Sequence, residues 1–114
     1  MFTVQGKDYD CYIALTLEII GGKWKTLILW YLLDGKQRFG QLRKLIPKCS
    51  QRMLTHQLRE LEHAGIINRK IYRQVPPKVE YSLTSRGETL RPILEQGCAW
   101  GTKWVNEINL HTHT

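Results

Sequence analysis

The chain has 114 residues, of which 42% are hydrophobic and 24% are charged, proportions typical of a globular protein and not of a disordered one. This length fits one domain, residues 1–114, with a modest hydrophobic core. The 17 Lys and Arg side chains outnumber the 10 Asp and Glu side chains, which gives a formal net charge of +7. That excess favours a polyanionic partner, nucleic acid ahead of a membrane.

The sequence lacks the patterns that direct a protein into or across a membrane. No apolar run approaches the roughly 20 residues that span a bilayer. The first ten residues, MFTVQGKDYD, lack the basic and then apolar layout of a signal peptide. We therefore expect a cytoplasmic protein with no membrane partner.

Three cysteines, Cys11, Cys49 and Cys98, are widely spaced and include no CxxC pair. An odd number at such spacing argues against a disulfide framework and against a structural zinc site. We expect neither a metal nor a cofactor. Reduced thiols are usual in the cytoplasm, and each cysteine is predicted to be a small buried hydrophobe unless other observations favour a sensor.

Three helices are predicted in the first half of the chain, at residues 12–20, 23–33 and about 40–46. Gly21-Gly22 ends the first helix, and Asp34-Gly35 ends the second. The segment GKQRF, between the second and third helices, is predicted to be a short turn or edge segment. In the third helix Leu42, Leu45 and Ile46 are expected to face inward. Pro47 ends that helix because the residue before a proline is pushed out of the helical region.

A fourth helix is predicted from the segment SQRMLTHQLRELEHAG, with Ser50 as its N-cap. Leu54, Leu58 and Leu61 share one face at the spacing of a core stripe. The opposite face carries cations, a hydroxyl and hydrogen-bond donors: Arg52, Thr55, His56, Arg59 and His63. This face is suited to duplex DNA, although an ordinary solvated helix face is the alternative for this helix considered alone.

A basic hairpin is predicted directly after the fourth helix, which ends at Gly65. The runs IINRKIYR and VEYSL alternate apolar and polar residues, and QVPPK connects them because prolines cannot donate to a strand ladder. The basic side chains of this hairpin, residues 66–83, are Arg69, Lys70, Arg73 and Lys78. A basic hairpin after a basic-faced helix is typical of a winged helix-turn-helix, in which the third and fourth helices form the helix-turn-helix.

A last helix is predicted from LTSRGE to about residue 108, capped by Thr84 or by Ser85, which forms a capping-box pattern with Glu88. Pro92 is expected to kink it or to remove one backbone bond. An apolar stripe along this helix fits either an intramolecular core or a partner helix, and we favour a dimer interface. The predicted interface residues are Ile13, Leu17, Ile20, Ile93, Gly97, Trp100 and Trp104. The tail HTHT, with His111 and His113, is predicted to be a frayed terminus in preference to a weak metal site.

Taken together, these motifs closely resemble the HxlR-type group of bacterial transcription regulators, which are dimeric winged helix proteins related to the MarR type. The resemblance covers roughly residues 11–104. The matching motifs are GGKW at 21–24, RF at 38–39, SQRMLT at 50–55, LRELE at 58–62, PPKVEYSLT at 76–84 and WG at 100–101. The fold class is therefore expected to be mainly α (α+β), a winged helix-turn-helix with a two-stranded β wing and N- and C-terminal dimerisation helices.

The resemblance implies a homodimer, formed by the first and last helices, that binds double-stranded DNA and regulates transcription. The recognition helix, residues 50–64, would enter the major groove, and the wing would lie along the backbone or minor groove. Carried over by position, the recognition-helix contacts are Ser50, Gln51, Arg52, Thr55, His56 and Arg59, and the wing contacts are Arg69, Lys70, Arg73 and Lys78. Arginine forks suit guanine or phosphate, and glutamine suits adenine.

Members of this group commonly sense electrophiles or oxidants through a cysteine just before the first helix, and Cys11 occupies that place. It is followed here by Tyr12, where the group commonly has proline, and it is preceded by Asp8 and Asp10. Nearby carboxylates disfavour a thiolate, whereas a helix N-terminus favours one. Cys11 is the candidate redox sensor, and the effector is unknown. Cys49, ahead of an N-cap, is open to activation or to packing in the turn.

Two other function classes compete with a DNA-binding regulator. An enzyme is not expected, because the sequence offers no Cys-His pair at a familiar spacing, no paired carboxylates in a motif and no phosphate-binding loop. An interaction module would use the charged helix to dock an acidic protein. The salt dependence of binding to duplex DNA distinguishes that module from a DNA-binding regulator.

Overall fold

The computed structural model describes the backbone of residues 1–112 and the side chains of residues 1–109. The prediction made for the side chains of His111 and His113 lies outside the described residues. The elements follow in the order β1 Phe2–Val4, β2 Lys7–Tyr9, α1 Tyr12–Ile20, α2 Lys25–Leu32, β3 Gln37–Arg38, α3 Phe39–Leu45, α4 Gln51–His63, β4 Ile67–Tyr72, β5 Lys78–Leu83, α5 Ser85–Glu88 and α6 Arg91–Thr112. The expected fold class, mainly α with a β wing, is confirmed.

An N-terminal hairpin, β1 and β2, was not predicted from the sequence. Its two-residue turn places Gln5 at φ +50° and Gly6 at φ +79°, the geometry of a tight antiparallel hairpin. Phe2 stacks on Tyr12 of α1, with ring centroids 4.3 Å apart. The hairpin is thereby held against the first helix.

The bounds of the first helix match the prediction, and the second helix begins later than predicted. Gly21 donates its N–H to the carbonyl of Leu17 at 2.7 Å, and a Cβ at Gly21 would lie 2.0 Å from that oxygen. Only glycine fits this close approach at the end of α1. Gly22 then takes φ +83°, which turns the chain before α2 begins at Lys25.

The helix-turn-helix consists of α3 and α4 around a buried leucine and isoleucine core. The Ser50 hydroxyl accepts a hydrogen bond from the N–H of Met53 at 3.1 Å, which confirms the predicted N-cap. Gly65, at φ +77°, ends α4, and the next N–H returns to Leu61. The fully buried residues of this core are Ile28, Leu29, Leu32, Leu42, Leu54, Leu58, Leu61 and Ile67. The inward orientation predicted for Leu45 is wrong, because this residue is 40% exposed.

The wing strands belong to a three-stranded antiparallel sheet in the order β3-β5-β4. The sequence predicted only the two wing strands, and the third comes from the GKQRF segment, where Arg38 pairs with Glu80. The register pairs Ile67 with Leu83 and Tyr72 with Lys78, so residues 73–77 form the connection. The short strand β3 therefore joins the start of α3 to the wing.

The single last helix predicted from the sequence is instead two helices, α5 and α6. Thr84 caps α5 by accepting from the N–H of Gly87 at 3.0 Å, and the same hydroxyl donates to Gly65 at 2.7 Å. The predicted kink at Pro92 is wrong. Pro92 is the second residue of α6, where an N–H has no intrahelical acceptor to lose. The Arg91 guanidinium donates to the Leu33 carbonyl at 2.9 Å and fixes the start of α6 on α2.

Candidate nucleic-acid interface

The exposed face of α4 is a concave polar surface opposite the leucine stripe. It encloses about 510 Å³ and is lined by Gln51, Arg52, Thr55, His56 and Arg59. The Thr55 hydroxyl donates to the Gln51 carbonyl at 2.9 Å, and the Gln51 side chain accepts from Arg43 of α3 at 3.4 Å. Five of the six residues predicted for the recognition helix thus share one surface, and Ser50 caps the helix at its edge.

The two carboxylates of α4 that border this surface are both engaged by cations. Glu60 lies 3.3 Å from Lys25 Nζ of α2 and 2.8 Å from His56 Nε2. Glu62 lies 3.4 Å from Arg69 Nε of β4. Since each carboxylate faces a cationic or imidazole nitrogen, the repulsion that it would exert on a phosphate is reduced.

The four predicted wing residues lie in three places: one on the side of the sheet that faces α4, two on the opposite side and one in the connection between the strands. Arg69 pairs in register with Tyr81 and forms the ion pair with Glu62, on the side of the sheet that packs against α4. Lys70 and Lys78 lie on the opposite side and flank the ring of Tyr72, with ammonium-to-centroid distances of 4.9 and 4.6 Å. Arg73 is exposed in the connection.

A buried carboxylate, Glu80, lies beneath the wing lysines and was missed by the sequence analysis. It is 3.5 Å from Lys78 Nζ and 3.9 Å from Lys36 Nζ. A hydrogen bond from the Tyr72 hydroxyl lowers the pKa of Glu80, and the two lysines lower it further against the opposing effect of burial. Only the pairing of β3 with β5 brings Lys36 to this carboxylate, and the sequence, which predicted GKQRF only as a turn or edge segment, did not show its strand partner.

The three thiols are free, and they differ in exposure. Cys11 is exposed at the N-cap of α1, without a side-chain capping bond, and Cys98 is exposed on α6. Cys49 is 3% exposed in the core, and burial raises the pKa of its thiol. A raised pKa disfavours the reactive thiolate, so the geometry supports a packing role for Cys49.

The predicted dimer surface is exposed apolar area on α1 and α6, with one exception. Ile13 is 61% exposed, Leu17 59%, Ile93 51%, Trp100 67% and Trp104 51%. The two tryptophan rings stack, with centroids 6.4 Å apart. The exception is Ile20, which is 6% exposed and packs in the protomer's own core, so it offers little surface to a partner.

The described part of the chain holds neither a cluster of potential metal ligands nor a membrane-spanning helix. Among these residues no group of three or more His, Cys, Asp or Glu side chains is arranged to hold a metal ion. No helix there combines the length and the hydropathy needed to cross a bilayer.

The family model described as HxlR-like helix-turn-helix matches residues 19–109. The uncharacterized HTH-type transcriptional regulator YdeP of Bacillus subtilis is 57% identical over 103 residues, which cover 90% of this chain and 80% of YdeP. The structure of the redox regulator HypR in its oxidized form superposes with a TM-score of 0.79 at 54% identity, covering 82% of this chain and 96% of HypR. Its reduced form gives 0.80 at 53% identity, covering 82% and 92%. The chain therefore belongs to the HxlR-like helix-turn-helix family of transcriptional regulators.

Proposed function

We propose that this regulator binds double-stranded DNA sequence-specifically as a cytoplasmic homodimer, with α4 in the major groove and the wing on the sugar-phosphate backbone. The observation that carries the proposal is the polar surface of α4. Forked arginine donors, an amide and a hydroxyl lie together there, and these groups match the donor and acceptor edges of base pairs. The base-reading residues are Gln51, Arg52, Thr55, His56 and Arg59, with Ser50 at the helix end.

The wing supplies affinity and little sequence information. Lys70, Arg73 and Lys78 are the proposed phosphate contacts, since phosphates attract cations whatever the base sequence. Arg69 and Lys78 are each already engaged by a carboxylate, Arg69 by Glu62 at 3.4 Å and Lys78 by Glu80 at 3.5 Å. Contact of either side chain with DNA requires that its ion pair open, so each contribution is expected to be smaller than that of Arg73.

Dimerisation uses the exposed apolar face of α6 together with the exposed face of α1. Large apolar side chains clustered at the surface commonly mark an interface. The interface residues are Ile13, Leu17, Ile93, Gly97, Trp100 and Trp104. Two copies related by a two-fold axis would present two α4 helices to one face of the duplex, and the operator would then be an inverted repeat.

Cys11 is the proposed sensor of electrophiles or oxidants. Its thiol is exposed at the N-terminus of α1, an element of the proposed interface. The similar redox regulator HypR has been solved in an oxidized form and in a reduced form. This similarity supports a redox-responsive regulator here. Modification of Cys11 would bias the packing of α1 and so the spacing of the two α4 helices.

The decisive experiment is selection of bound duplexes from a pool of random sequences at fixed salt. We expect enrichment of an inverted repeat whose half-sites are centred about one helical turn, roughly 34–36 Å, or a multiple of it, apart. Parallel turnover assays on the same duplexes address nuclease activity. Binding of all duplexes with equal affinity would contradict sequence-specific recognition.

A further inference from the structure

Four cationic side chains share the outer face of the three-stranded sheet with one buried carboxylate. The register pairs Arg38 with Glu80, and Glu80 with Lys70, so these residues form one row across β3, β5 and β4. Side chains paired across an antiparallel ladder project from the same side of the sheet. Lys78, two residues before Glu80, projects from that side as well, and Lys36 reaches it through its ion pair with Glu80.

The charges of this group are separated by depth. The Glu80 side chain is 10% exposed, whereas that of Lys36 is 67% exposed, and Arg38 and Lys70 are also exposed. Four positive charges and one buried negative charge leave a net charge of about +3 on this outer face. We define the cationic sheet face as Lys36, Arg38, Lys70 and Lys78.

We propose that the phosphate-binding surface of the wing extends over the whole cationic sheet face, on which Lys36 and Arg38 add to the contact of Lys70 and Lys78 with the DNA backbone. This inference rests on the proposed DNA-binding function. It adds two residues that belong neither to the recognition helix nor to the wing. Arg38 offers a fork that can pair with two phosphate oxygens, and Lys36 offers a point charge.

Continuity with the wing identifies DNA as the occupant. Arg38 and the start of α3 line a cleft of about 260 Å³ together with Gln74, Pro76, Pro77 and Lys78 of the wing. Arg38 therefore borders the same cleft as the connection that carries Arg73. Arg38 and Lys70 flank β5, so their Cα atoms are about 10 Å apart by strand spacing.

The test compares Lys36→Ala and Arg38→Ala with the matched control Arg86→Ala, which removes one exposed positive charge from α5. The probe is a mixed-sequence duplex of about three helical turns, and anisotropy gives Kd at several salt concentrations. Affinity falls as salt rises, so the slope of log K against log salt is negative. Each test variant should make this slope less steep by about 0.9, the value for one lost phosphate contact. Arg38→Lys should keep the slope, and Arg86→Ala should leave it unchanged.

The outcomes separate this inference from the function on which it rests. If Lys36→Ala and Arg38→Ala keep the parent slope while Arg73→Ala makes it less steep, Lys36 and Arg38 do not contact phosphate and the extension is absent, whereas DNA binding stands. If the parent binds no duplex, the proposed function itself fails. An unchanged duplex slope combined with lost binding to poly-glutamate would assign the face to an acidic protein instead and overturn the proposal. Thermal unfolding of each variant establishes that it is folded.

Discussion

Arg52 and Arg59 place two guanidinium forks on the exposed face of α4, about two helical turns apart. We expect Arg52→Ala and Arg59→Ala to relax base preference at particular operator positions, because a bidentate arginine–guanine contact contributes about 1–3 kcal/mol of discrimination. The measurement is Kd for the selected operator and for single-base variants of it. Arg86→Ala, on α5, is the control. Equal weakening on every duplex would mean that both arginines contact phosphates.

The lowered pKa of Glu80 makes the free energy of unfolding depend on pH in the acidic range. Its folded pKa is lowered, first by the Tyr72 hydroxyl and then by Lys36 and Lys78. A lowered carboxyl pKa contributes stability that is present above the unfolded value and is lost as the pH falls through the folded value. Between about pH 5 and pH 3 the parent should therefore lose more stability than Glu80→Gln, as measured by urea unfolding. A parallel loss in both proteins would show that Glu80 is not responsible.

Cys11 is the one exposed thiol at the start of a helix, whereas Cys98 is exposed within α6. We expect diamide or a quinone to reduce DNA affinity in the parent and to leave Cys11→Ser unaffected. The physical reason is that a group added at the N-cap changes the packing of α1 in the interface. Cys98→Ser serves as the control, and mass spectrometry identifies the modified thiol. Loss of binding that persists in Cys11→Ser would move the role to another cysteine.

The wing is the element that we expect to bind the phosphates of any duplex through its positive charges. Changing Lys70, Arg73 or Lys78 to alanine should weaken specific and random DNA alike, and should lower the salt slope by about 0.9 for each lost phosphate contact. Arg69→Ala is the informative comparison, because Arg69 is engaged by Glu62, as Lys78 is by Glu80, and both variants should change the slope less than Arg73→Ala. Unchanged slopes in all three wing variants would contradict the proposed wing.

Local signals predicted the elements that carry the interface. The leucine stripe of α4, the Ser50 cap, Gly65 and the two prolines of the wing connection each act through neighbouring residues. The same signals placed five base-reading candidates on one surface. For these parts, periodicity and caps were sufficient because no distant contact overrides them.

Contacts between distant segments explain what the sequence did not reveal. The third strand exists because Arg38 and Gln37 pair with β5, more than forty positions along the chain. The Thr84 hydroxyl bonds to Gly65 and Ile66 and helps to set the start of α5. Gly87 then packs on the Ile66 carbonyl, where a Cβ would lie 2.2 Å from the oxygen. These contacts define α5 as a short separate helix, which helical periodicity alone cannot show.

The molecule has a basic surface and an apolar surface, and of the two only the apolar surface gains stability when a partner covers it. The basic surface of α4 and the wing has charges that water solvates well, so it is stable without a partner. The α6 surface exposes Trp100, Trp104 and Val105, whose side chains are 67%, 51% and 48% exposed. Burial of such side chains contributes roughly 25 cal/mol for each Å² of apolar area removed from water. Because pairing would bury this area, we expect two protomers to associate through α6.

We expect Trp100→Ala combined with Trp104→Ala to convert the dimer into a monomer at micromolar concentration. Sedimentation velocity measures the change, and Ile71→Ala, which removes an equally exposed apolar side chain from the wing, should leave the dimer intact. The monomer should lose most of its operator affinity, because one recognition helix then engages one half-site without the second contact that the dimer makes. A parent that sediments as a monomer would contradict both the α1–α6 interface and the inverted-repeat operator.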